Sequence, residues 1–86
     1  MSTIEAARAV TEQCQCHVLR QRKDAPAGVY DAKPYGGGNK RGWFYLDLFT
    51  AGAIMTVYNA LNEVNRERYG RMPIHVAASF AFKHVR

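Results

Sequence analysis

Basic and aromatic side chains are concentrated between residues 33 and 45, and they are the residues of this chain best suited to binding chemistry. The group comprises Lys33, Tyr35, Lys40, Arg41, Trp43 and Tyr45. Cations neutralise phosphates and aromatic rings stack on unpaired bases, so the combination is typical of a surface for single-stranded nucleic acid. It also fits a simpler arrangement, in which the basic side chains are solvated at a turn while Trp43 and Phe44 cover a helical core. In both arrangements we expect the basic turn to be a contact surface.

A second basic set lies towards the C-terminal side of the chain and consists of Arg66, Arg68 and Arg71. Arginines spaced in this way on a helix are usually a solvated face. A polyanion could bind the same face. The residues predicted to bind a partner are therefore Lys33, Tyr35, Lys40, Arg41, Trp43, Arg66, Arg68 and Arg71.

Cys14, Cys16 and His17 suggest a metal site, to which His75 or His84 could add further ligands. On a helix, however, Cys14 and Cys16 point about 200° apart and cannot share one ion. A structural zinc site needs four ligands in a tetrahedral array. The chain has no second pair with the spacing Cys-x-x-Cys or His-x-x-x-His. We therefore expect no bound metal, with Cys14 as a small buried residue and His17 beside it.

The glycine-rich stretch 36–42 resembles a phosphate-binding loop only superficially. In such a loop Lys is followed by Ser or Thr and a helix, whereas here Arg41 and Gly42 follow Lys40. No serine or cysteine stands in a recognisable nucleophile context, and no two carboxylates are placed to act as a buried pair. We expect neither enzymatic activity nor a cofactor.

The composition predicts one small domain spanning residues 1–86. The formal net charge is +5, and hydrophobic residues make up 48% of the chain, which is sufficient for a core. There is no run of about 18 apolar residues that could span a membrane. The N-terminus lacks a basic segment followed by an apolar one, so we expect no signal peptide, a cytoplasmic location and reduced cysteines.

The central element is predicted to be a helix over residues 47–64, capped by Asp47. Phe49, Ala53, Val57, Ala60 and Val64 form one line on it, with Ile54 and Leu61 beside that line. The apolar face is wide, so we expect the other elements to pack against it.

Three further elements are predicted around this helix. Ser2 and Glu5 form a capping box, which indicates a helix over residues 3–22. Residues 29–33 and 41–46 could pair as a hairpin, with Pro34 restricting the first strand to an edge. The fold class is therefore mainly α: a small helical domain whose glycine-rich connection could form a short β-hairpin.

Two alternatives are open in the C-terminal half. The central helix could continue to Tyr69, with Gly70 as its stop, or break near Asn62 and restart. Residues 74–85 fit a helix led by Pro73, but their alternation also fits a strand, which would make the fold α+β. The three alanines of this segment and the leading proline favour the helix.

Residues 47–85 resemble small accessory proteins encoded by phages of actinobacteria. The matching pattern is Asp47, Phe49-Thr50-Ala51, Val57-Tyr58-Asn59-Ala60-Leu61-Asn62, Asn65-Arg66, Tyr69, Pro73-Ile74 and Ala81-Phe82-Lys83. Gly70 departs from this pattern, where a larger residue is usual. The resemblance implies a C-terminal helix and a protein that works by binding a host component.

These observations predict a small basic interaction protein, not an enzyme, that binds and modulates a host protein. The alternative is a nucleic-acid-binding protein that uses the 33–45 segment together with the three arginines. No membrane partner is expected, and a core this small could be completed by a second copy of the chain. The salt dependence of binding distinguishes the protein ligand from the nucleic acid, because phosphate binding releases counterions and weakens steeply as the salt concentration rises.

Overall fold

Four helices and a three-stranded antiparallel sheet make up the part of the chain described by the computed structural model, which is residues 1–36 and 42–84 without the side chain of His84. The elements are α1 Thr3–Gln13, β1 His17–Gln21, β2 Tyr30–Pro34, β3 Phe44–Leu46, α2 Leu48–Ala60, α3 Glu63–Gly70 and α4 Ile74–His84. The predicted predominance of helix is confirmed, and the sheet makes the fold α+β.

Helix α1 begins as predicted but ends nine residues early. The Ser2 hydroxyl accepts from the Glu5 N–H at 3.1 Å, and the Glu5 carboxylate accepts from the Ser2 N–H at 2.9 Å. At the other end Cys14 adopts a left-handed conformation, with φ of 51°, and its N–H donates to Val10. The predicted helix over 3–22 is therefore wrong beyond Gln13, because residues 17–21 form a strand instead.

Strand β1 lies in the middle of the sheet, between β2 and β3. Val18 is paired with Lys33 on one side and with Tyr45 on the other. The two predicted strands exist, but they do not pair with each other as a hairpin. Pro34 belongs to an edge strand as predicted, where its missing N–H removes no ladder bond.

Helix α2 begins at the predicted cap, where the Asp47 carboxylate accepts from the Thr50 N–H at 2.7 Å. Its buried residues are Ala51, Ala53, Ile54 and Val57. Phe49, predicted to lie on the buried line, is 74% exposed. Ala60 and Val64 are also exposed, because the chain turns out of the helix at Leu61 and starts a new helix.

The structure decides both open questions in the C-terminal half. Asn62 caps α3 by accepting from the Asn65 N–H at 2.9 Å, so the central helix breaks there. Residues 74–84 form a helix directly after Pro73, and the strand alternative for this segment is wrong.

The core lies between α1, α2, α4 and the inner face of the sheet. Small residues on all three helices are buried and allow close approach: Ala6, Ala7, Ala51, Ala53, Ala77, Ala78 and Ala81. Buried hydroxyls join elements that are distant along the chain. The Tyr30 Oη atom accepts from the Ile74 N–H at 2.7 Å, and the Tyr69 hydroxyl donates to the Ala77 carbonyl at 2.8 Å. These bonds hold the first turn of α4 against the sheet and α3.

Candidate nucleic-acid interface

The two faces of the sheet differ in composition. Leu19 and Phe44, which are paired, pack into the helical core from the inner face. Alternation along the strands places the next residues on the opposite side. We call this side the outer face; it comprises Val18, Arg20, Lys33 and Tyr45 from the strands, with Tyr35 and Trp43 from the flanking residues.

Two cations hold the Trp43 ring on the outer face. The guanidinium carbon of Arg20 and the Nζ atom of Lys33 each lie 4.6 Å from the centre of the ring. A cation within about 6 Å of an indole is attracted by the ring quadrupole. Because Arg20 is on β1 and Lys33 on β2, the indole is fixed in one orientation by two strands.

Tyr35 and Tyr45 form the second aromatic unit of the outer face. Their ring centres are 4.8 Å apart, with the rings at 66°, an edge-to-face contact. A hydrogen bond with the Cys16 side chain, more than any other effect, raises the pKa of Tyr45 to about 12.

Val18 shows that the outer face has its own small apolar layer. It is only 8% exposed, yet it does not belong to the cluster of core residues packed between the helices. Its cross-strand partners are Lys33 and Tyr45, so the side chains of the outer face cover it. Val18 is therefore buried on the side of the sheet opposite the helical core.

Asp31 forms ion pairs with Arg20 of the outer face and with Arg22, which follows the end of β1. It lies 3.4 Å from Arg20 and 3.7 Å from Arg22, which also lies 3.5 Å from Asp24. These groups and Lys23 line an open groove of about 320 Å³. Three cations and two carboxylates leave the groove with a small positive excess, and all of these ion pairs are about half exposed or more.

The structure brings three predicted partner-binding residues together on one surface: Lys33, Tyr35 and Trp43. The expectation that Trp43 covers the helical core is wrong, since only its neighbour Phe44 packs there. Arg20 was missed, because the sequence placed it on the predicted helix over 3–22, pointing away from the apolar stripe of that helix. Its position opposite Asp31 on a strand was not visible in the local pattern. Lys40 and Arg41 lie outside the described residues.

The α3 arginines are engaged in the helical half of the molecule. Arg66 donates from Nε to the Tyr58 carbonyl at 3.1 Å and from Nη2 to the Asn59 carbonyl at 3.0 Å, so it caps the C-terminus of α2. Arg71 pairs with Glu67 one turn earlier. Arg66 is therefore half-buried and engaged with the end of α2, whereas Arg68 is exposed as expected. The contact of these arginines with a partner stays a prediction.

The residues considered for a metal site are dispersed. Cys14 is exposed at the end of α1, contrary to the buried position predicted for it, whereas His17 is buried on β1 and its Nδ1 atom lies 2.7 Å from the Gln15 carbonyl. Within residues 1–36 and 42–83, no three side chains of the metal-binding types come together. None of the helices described is both long and apolar enough to cross a membrane.

Comparison with known proteins assigns the chain to no family, because no family model, curated protein or solved structure matches it. The resemblance of residues 47–85 to phage accessory proteins stays a prediction. Any functional inference therefore depends on the outer face and on the chemistry of its side chains.

Proposed function

We propose that the protein binds single-stranded nucleic acid on the outer face of its sheet and has no catalytic role. The observation that supports this most strongly is that Arg20 and Lys33 each lie 4.6 Å from the centre of the Trp43 ring, on the sheet face that also carries the Tyr35–Tyr45 pair. Rings provide stacking surfaces for bases, and the adjacent cations neutralise the phosphates that connect them.

The shape of the surface favours a single strand over a duplex. The rings lie on an open sheet face, where unstacked bases can reach them, and a paired base inside a duplex has no free π-face to offer. The residues of the outer face lie on strands and in the segments that flank them, and not on a helix of the kind that enters a groove of a duplex. The net charge of +5 adds a favourable long-range term to the association rate.

A titration with fluorescent oligonucleotides tests the proposal. Mixed-sequence single strands of about 12 nucleotides, DNA and RNA, are compared with the corresponding duplex at two salt concentrations. We expect binding to the single strands that weakens as salt increases, and weaker binding to the duplex. Lys33→Ala should reduce the affinity, whereas the matched control Lys83→Ala, an exposed lysine on α4, should leave it unchanged. Absence of any binding at low salt would refute the proposal.

An acidic surface of a host protein is the second candidate ligand, and it would bind the same outer face. Trp, Tyr and Arg dominate the energetics of protein interfaces, and Trp43, Tyr45 and Arg20 are adjacent here. Capture experiments with host lysate treated with nuclease distinguish the candidates. A stoichiometric protein retained by the wild type and lost with Trp43→Ala would favour the protein ligand.

A further inference from the structure

We propose that a second copy of the chain docks on the outward side of α2, through Phe49 of each copy and Gly52 of the other. We call this surface the α2 face; it comprises Leu48, Phe49, Gly52 and Thr56. It is made of helix residues and shares none with the outer face of the sheet. The inference is therefore independent of nucleic-acid binding.

Phe49 is the most exposed large apolar residue among those described, with 74% of its surface in solvent. Its ring stacks on Phe82 of α4, with centres 5.8 Å apart and planes at 15°. Phe82 and Leu48 are each 43% exposed. The three side chains form an aromatic and aliphatic projection that one copy of the chain leaves uncovered.

Gly52 lies one turn after Phe49, in the interior of the helix, and nothing in the described part of the chain requires a glycine there. A Cβ atom at this position would meet nothing within 4 Å, and φ is not positive. Glycine weakens a helix interior relative to alanine. A missing side chain on an exposed helix allows another molecule to approach the backbone closely, so Gly52 is a notch beside the projecting ring.

The projecting Phe49 ring and the notch at Gly52 are neighbours on one helix, so the surface is complementary to itself when two copies are related by a two-fold axis. Phe49 of one copy can fill the space above Gly52 of the other, and the reverse contact forms at the same time, which is the isologous arrangement of symmetric dimers. The polar group nearby needs no partner, because the Thr56 hydroxyl donates to the Gly52 carbonyl at 2.8 Å.

Charge favours the same surface. The chain carries a net charge of +5, so two copies repel each other across most approaches. Residues 48–60 contain no charged side chain at all. The α2 face is therefore a surface on which two copies can meet without bringing like charges into contact.

Sedimentation velocity over a wide concentration range, up to about 1 mM, tests the proposal on the full chain. We expect a monomer–dimer equilibrium for the wild type. Phe49→Ser should raise the dissociation constant at least about tenfold, as expected for a central anchor. Gly52→Gln should do the same by filling the notch, although glutamine is the better helix former. Val64→Ser, at a residue 62% exposed on α3, is the matched control and should leave the equilibrium unchanged.

Circular dichroism and thermal melting show whether each variant is folded. Gly52→Gln should raise the helix propensity of α2, whereas Phe49→Ser should not, so a shared effect on dimerisation cannot come from helix stability. A wild type that is monomeric up to the highest concentration would overturn the proposal. So would an unchanged dissociation constant in folded Phe49→Ser or Gly52→Gln, or an equal effect of Val64→Ser. A monomer that forms a stoichiometric complex with a different protein through Phe49 would also overturn it, by assigning the α2 face to another partner.

Discussion

The Nζ atom of Lys33 lies 4.6 Å from the centre of the Trp43 ring, although β1 separates the strand of Lys33 from the strand that follows Trp43. The contact therefore spans the sheet and holds the indole against a lysine ten positions earlier in the sequence. It is made outside the helical core, so Trp43 can be replaced without opening a cavity in that core.

Trp43→Leu should lower the affinity for single-stranded nucleic acid by about 5- to 150-fold, because stacking on one ring contributes about 1–3 kcal/mol. The free energy of unfolding should fall by less than about 1 kcal/mol, since surface substitutions have small effects. Phe44→Leu, one residue later but packed on the core, should show the reverse pattern. Fluorescence anisotropy and urea denaturation measure the two quantities. Equal loss of stability in both variants would contradict the distinction.

Asp31→Asn should increase the affinity for single strands by about two- to fivefold. The carboxylate lies near both Arg20 and Arg22, and it competes with phosphate for them. Exposed ion pairs contribute only about 0.2–1 kcal/mol, which limits the gain. Asp24→Asn, where the carboxylate is 77% exposed and pairs only with Arg22 among the described residues, should have a smaller effect. Weaker binding by Asp31→Asn would show that the carboxylate supports the site.

Arg66→Met should destabilise the fold by about 1–2 kcal/mol, because two carbonyls at the end of α2 lose charge-assisted hydrogen bonds. The affinity for nucleic acid should change little, since the Arg66 guanidinium is bound to the carbonyls at the end of α2. Arg68→Met, on the exposed side of the same helix, is the comparison and should be close to neutral in stability. Thermal melting of both variants decides the matter; a stable Arg66→Met protein would contradict the capping role.

Stability should fall as the pH rises from about 10 to about 12. Burial raises the pKa of Tyr69 to about 12, so between these values the folded state keeps a proton that the unfolded state has lost. The raised value therefore adds stability below pH 10, and this is lost as Tyr69 ionises. Unfolding midpoints measured across this range should decline less in Tyr69→Phe. An equally steep decline in that variant would assign the effect to other groups, with Tyr45→Phe as the next comparison.

Hydrogen bonding between groups three residues apart was predictable at the starts of α1 and α2, and at Asn62 it was one of two alternatives. The caps at Ser2, Asp47 and Asn62 each involve a side-chain oxygen and an N–H within one turn, and all three are present. The edge position of Pro34 was predictable for a similar reason, since the missing N–H is a property of the residue itself.

Strand β1 was not predictable, because its structure depends on distant partners. Residues 17–21 have the apolar spacing of a helix stripe at Val18, and only pairing with β2 and β3 makes them the centre of a sheet. That error hid Arg20 from the candidate site. The exposure of Phe49 is a similar case, since the periodicity shows a wide apolar face but not which part of it the other helices cover.

The sequence left the break at Asn62 and the conformation of residues 74–85 as open alternatives. By itself it determined the starts of α1 and α2 and the basic and aromatic composition of the 33–45 segment, because these depend on residue type and on contacts within a turn. The tertiary structure decided which of those side chains meet. Arg20, Lys33 and Trp43 come from three separate segments, and only the order of strands in the sheet brings two cations to one ring.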